Sequence, residues 1–150
     1  MCLRVPFRSD DGSVSDVSSG GLRTLIIPQG QCGKPNYISP EVLQNDEPFD
    51  GYAIDLWAAG IILFIMLVGL PPFEWATRDD PRFRMITGGG LVSMLQQWQR
   101  TISAEAGDLL QRMLKEDPRE RLTLIEVMDH PWVVEDETTA PTPPDDGWRK

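Results

Sequence analysis

A single histidine and two cysteines in 150 residues leave little material for metal or redox chemistry. Cys2 and Cys32 form no Cys-x-x-Cys pair, and one His cannot complete a Cys/His zinc site, so no metal site is expected. The cysteines read as reduced thiols of a cytoplasmic or nuclear protein. Basic residues are also scarce. Fourteen Lys and Arg face 23 Asp and Glu, a net charge of −9, which argues against gripping nucleic acid through clustered cations. No secretory signal opens the chain, because Met1-Cys2-Leu3-Arg4 runs directly into Pro6 and a polar stretch. Internal repeats and a convincing set of alternating strands are missing too.

What remains is the composition of a soluble globular domain, 41% apolar and 25% charged, in a chain of single-domain size. Residues 1–33 read as a long loop, since Ser9 to Gly21 is rich in Ser, Asp and Gly. Leu22 to Ile27 is a short apolar patch, suited either to pairing as a strand or to docking on the core. Residues 34–134 carry the helical periodicities. Ser39-Pro40-Glu41 opens a short helix, with Ser as cap, Pro at the first position and Glu at the positive end.

The segment Leu56 to Phe73 is almost wholly uncharged. Gly69, Pro71 and Pro72 end its helix early, after about sixteen residues, short of the roughly 20 that a membrane span needs. A helix over residues 53–68 is therefore expected, with Leu56 to Val68 buried on most sides of a globular core, and Ile62→Asp should abolish soluble expression. Farther on, Gly88-Gly89-Gly90 breaks the chain before Leu91, Met94, Leu95 and Trp98 recur at helical spacing. Ser103 caps a helix with a stripe of Ala106, Leu109, Leu110, Met113 and Leu114. Thr123 and Glu126 form a capping-box pattern. Residues 135–150 are acidic and Pro-rich, and are expected to be disordered.

Three motifs agree in order and spacing: Gly33-Lys34-Pro35-Asn36-Tyr37-Ile38-Ser39-Pro40-Glu41, then Asp55-Leu56-Trp57-Ala58-Ala59-Gly60, then Asp117-Pro118-Arg119-Glu120-Arg121. Together they resemble the second half of a eukaryotic serine/threonine protein kinase domain, with a looser likeness to the calcium/calmodulin-dependent type. Ser39-Pro40-Glu41 occupies the place of the Ala-Pro-Glu element. The resemblance implies the fold class: mainly α, the helical C-lobe of the protein-kinase-like fold, with a long N-terminal loop and a disordered acidic tail. It implies that Glu41 pairs with Arg121, a carboxylate meeting a guanidinium that can bind it twice. Gly33, Lys34 and Pro35 would contact the protein substrate. Asp55 would brace the catalytic loop, or equally serve as an ordinary helix cap. Ser13, Ser15, Ser18, Ser19 and Thr24 fall in the activation-loop region as possible phosphosites, and His130 takes a structural role.

The residues that transfer the phosphoryl group are missing from the same sequence. It holds no Gly-rich loop, Val-Ala-Ile-Lys, His-Arg-Asp or Asp-Phe-Gly. Met1-Cys2-Leu3-Arg4 resembles the segment just after an Asp-Phe-Gly motif, so the expected reading is a truncated gene product or a partial domain. The parent kinase would use ATP and Mg, whereas this chain alone is expected to bind neither and to be inactive. Its partners would be a protein substrate or the missing N-terminal half, with no nucleic acid and no membrane. The alternative is a non-catalytic kinase-like protein-interaction module. In either case, apolar surface that a complete domain covers should be exposed here.

Overall fold

The computed structural model describes residues 13–15, 22–26 and 33–134. The acidic tail expected over 135–150 lies outside them, as do Ser18 and Ser19. Two short strands, β1 (Ser13–Ser15) and β2 (Leu22–Thr24), pair antiparallel with Val14 opposite Arg23. The N-terminal region is thus not loop throughout. Just beyond, Ile26 and Phe49 exchange both backbone hydrogen bonds, at 2.9 and 3.1 Å, in an isolated bridge. Gly51 makes room for it, because a Cβ there would stand 3.0 Å from the Ile26 side chain.

Helices make up the rest: α1 (Pro40–Gln44), α2 (Gly51–Val68), α3 (Pro81–Met85), α4 (Leu91–Gln97), α5 (Ala104–Met113), α6 (Leu124–Met128) and α7 (Pro131–Val134). A 3-10 turn, Pro35–Tyr37, packs on α2. Several helix starts are set by the side chains that the sequence supplies. Ser103 Oγ accepts from Ala106 N at 3.1 Å, and Thr123 with Glu126 forms the reciprocal capping box. Ser39 holds the cap position of α1, but its buried hydroxyl makes no hydrogen bond among the described residues. For α2 the cap is Asp50, which accepts from Tyr52 N at 3.0 Å, so the helix runs 18 residues rather than sixteen.

The core is built on one face of α2. Trp57, Ile61, Phe64 and Val68 are buried against Phe73, Phe83, Ile86, Leu91, Met94 and Leu95. Phe73 and Phe83 meet edge to face at 5.4 Å, and both rings lie near Trp57. Gly60 lets α5 come close, since a Cβ there would stand 3.0 Å from a Leu114 methyl. A smaller cluster of Leu109, Met113 and Leu122 is closed by Trp132 and Val133.

The expectation of a helix buried on most sides is overturned. Only 28% of α2 is buried. Asp55, Ala59, Ile62 and Met66 form a stripe at helical spacing that is exposed, with Ile62 at 50% and Met66 at 76%. The physical reason is layering: α5 and the α3–α4 segment cover one side of the helix, and no described residue packs over the other. By length and composition alone α2 is apolar enough to cross a membrane.

Candidate functional site

The lobe is braced around Arg121, whose side chain is wholly buried. Its Nη1 donates to Glu41 Oε1 at 2.8 Å and to the Ala53 carbonyl at 2.7 Å. Nη2 donates to Glu41 Oε2 at 3.0 Å and to the Lys115 carbonyl at 3.1 Å, and Nε donates to that same carbonyl at 3.2 Å. All five guanidinium N–H groups therefore have acceptors, which is the condition for burying this charge cheaply. The guanidinium carbon also lies 4.9 Å from the Trp57 ring centroid. One side chain thus joins α1, the first turn of α2 and the segment leading out of α5.

Gly33 has φ 118°, a conformation open to glycine, and the backbone then passes exposed Lys34 to half-buried Pro35. The Lys34 carbonyl accepts from Tyr37 N at 3.0 Å, closing the 3-10 turn. Asp55 is not the cap of α2; it lies one turn inside the helix, on the exposed stripe. Ser13, Ser15 and Thr24 lie on the two strands.

Beside the ion pair opens a groove of about 1280 Å³. Glu41, Tyr52, Asp55, Lys115, Glu120 and Arg121 are among its lining residues. Several of its charges are committed in pairs. Arg78 Nε lies 2.9 Å from Glu116, and Arg119 Nη2 lies 2.9 Å from Asp117. The Arg119 hydrogen bond holds the Asp117 carboxyl below the usual carboxylate range. On the far side of α5, His130 is buried. Its Nε2 lies 2.9 Å from Asp108 Oδ2, and its Nδ1 accepts from Trp132 N at 3.2 Å. That acceptance places the ring proton on Nε2, where it is donated to Asp108. His130 is thereby engaged on both ring nitrogens, in a structural closure of the C-terminal helices.

Residues 9–133 match the family model for the protein kinase domain. This chain belongs to the protein kinase domain family. Among its relatives is Calcium-dependent protein kinase 15 of Oryza sativa subsp. japonica, 42% identical over 120 residues, which cover 77% of this chain and 21% of that protein. Calcium-dependent protein kinase 1 of the same organism is 42% identical over 104 residues, 69% of this chain and 19% of that protein. The chain thus spans about a fifth of the length of these relatives. The mainly helical fold of the described residues is that of the helical part of a kinase domain.

Sequence reasoning missed two residues that shape the region. Asp50 precedes Gly51 by one step, and a carboxylate before an apolar run was the available signal. Gln111 lies off the apolar stripe of α5, yet its carboxamide reaches the α3–α4 junction. No local pattern announces such a contact.

Proposed function

We propose that this chain is the substrate-side and bracing part of a serine/threonine protein kinase related to the calcium-dependent protein kinases. The observation that carries this reading is the five-bonded Arg121 on Glu41, directly downstream of Gly33-Lys34-Pro35. Gly33, Lys34 and Pro35 face the substrate residue beside the phosphoacceptor. The Glu41–Arg121 pair fixes the helix just after them, and Asp55, on the exposed stripe, braces the catalytic loop. Ser13, Ser15, Ser18, Ser19 and Thr24 are the candidate regulatory hydroxyls, since an added phosphate orders such a loop when cations face it.

The parent enzyme uses ATP and Mg to phosphorylate a protein hydroxyl, in the cytoplasm or nucleus. This chain's own residues do not fit that cofactor. No group of three His, Cys, Asp or Glu among the described residues stands close enough to hold a metal ion. The sequence also lacks a Gly-rich loop and the strand Lys that would hold phosphates.

The exposed stripe of α2 favours a second reading, a non-catalytic module that binds a protein partner through Ile62 and Met66. Neither reading involves nucleic acid or membrane: cations are few, and the inner face of α2 is committed to the core. Sequencing the 5′ end of the transcript separates the two. In-frame codons for His-Arg-Asp and Asp-Phe-Gly ahead of Met1 support the kinase; an in-frame stop there, with no such codons, supports the module.

A further inference from the structure

Between α3 and α4 the helical run is interrupted by a wide turn, Ile86–Gly90. Gly89 sits at φ 94°, and a Cβ on Gly88 or Gly89 would meet nothing within 4 Å. These two glycines serve backbone freedom and not packing, and left alone such a run is a hinge. Gln111, on α5, closes it. Its Nε2 donates to the Ile86 carbonyl at 2.6 Å, while its Oε1 accepts from Leu91 N at 3.2 Å. Those are the carbonyl that enters the wide turn and the N–H that leaves it, so one carboxamide spans the break as an inserted peptide group would. Thr87 Oγ1 donates to the Phe83 carbonyl at 2.9 Å and steadies the entering side. Beyond the turn, Leu91, Met94 and Leu95 are buried, whereas Val92, Ser93, Gln96 and Gln97 are exposed.

We propose that Gln111 is a carboxamide clasp holding a glycine hinge shut, and that it controls how often the start of α4 opens from the lobe. The i→i+4 ladder of an α-helix does not pair Ile86 O with Leu91 N, and glycine supplies no side chain to lock the wider turn that stands there. The clasp acts from α5, the helix that packs on α2, so the hinge is governed by the rigid core and not by its own sequence.

Residue-resolved hydrogen exchange on the whole chain tests this. In Gln111→Leu the Leu91 amide should exchange about tenfold faster, as expected for losing two hydrogen bonds, while Phe64 in the core is unchanged. Gln111→Glu keeps the acceptor but not the donor, and its carboxylate repels the Ile86 carbonyl, so there too Leu91 should exchange faster than in the parent. In the parent itself, the Gln111 carboxamide protons should exchange at least about tenfold more slowly than those of exposed Gln96 and Gln97. That last measurement decides the matter if Gln111→Leu does not fold. A Leu91 amide unaffected by Gln111→Leu, or a Gln111 carboxamide as labile as Gln96, would overturn the clasp.

Discussion

Arg121 and Glu41 stand 80 residues apart in sequence and bond through two parallel N–H to carboxylate contacts of 2.8 and 3.0 Å. The guanidinium is fully buried and the carboxylate nearly so, with 12% of its side chain exposed. Removing the cation therefore strands an anion, along with two backbone carbonyls. Arg121→Ala should cost roughly 3–5 kcal/mol, against about 0–1 for Arg119→Ala at an exposed pair. Arg121→Lys should recover little, because an ammonium cannot reproduce the fork that serves all these acceptors. Denaturant midpoints measure all three; equal midpoints for the two alanine variants would uncouple Glu41 from Arg121.

Neighbouring positions on α2 should respond in opposite ways. Ile61 is fully buried and Ile62 half-exposed. Ile61→Asp should prevent folding, since a carboxylate has no partner there. Ile62→Asp should leave stability within about 0.5 kcal/mol, in keeping with a surface site. Soluble yield and circular dichroism of the pair provide the comparison, and an unfolded Ile62→Asp would mean that the stripe is covered.

Acid should weaken the lobe in part through Asp80. Burial pushes its carboxyl up, but N–H donors from Glu74, Arg82, Phe83 and Trp75 outweigh burial and hold it below the usual range. Asp108 is held low as well, first by its hydrogen bond to His130. A carboxylate depressed in the folded state stabilises above its unfolded value, about 3.9, and that stabilisation fades as pH falls through the folded value. Stability should thus be insensitive to these groups at neutral pH and decline below about pH 4. Asp80→Asn keeps an acceptor oxygen and cannot titrate, so urea midpoints should show a shallower decline in the variant. A decline as steep as the parent's would remove Asp80 from the account.

Nucleotide binding should be absent from the isolated chain. Phosphoryl transfer depends on positioned Lys, Asp, Asn and Mg, and this sequence lacks the motifs that carry them. Calorimetric titration with MgATP should give no saturable heat, and radiolabel should not pass to a generic protein substrate. Saturable binding in a preparation free of other kinases would require a site of a different construction.

The legible part of the fold was the part with local physics. The α5 stripe, the Ser103 cap and the Thr123–Glu126 box each arise from residues three or four apart. That Glu41 and Arg121 meet came only from family likeness, as no short-range pattern connects them. The outer face of α2 was misjudged for a definite reason. Ile62 and Met66 are as apolar as Ile61 and Phe64, so the sequence of the helix alone does not tell its covered side from its open one. Gln111 was invisible because its two backbone partners, Ile86 and Leu91, flank the distant break between α3 and α4.

The Ile26–Phe49 bridge gives the segment that carries Gly33 to Glu41 a peculiar mechanical status. Gly33 to Pro35 and Glu41 all lie within a stretch of chain whose two ends are stapled by a pair of backbone hydrogen bonds. Inside that stretch Arg121 adds a second fastening at Glu41. The two fastenings differ in strength, a pair of backbone hydrogen bonds against a buried charged pair, so under strain the staple releases first while Glu41 stays fixed.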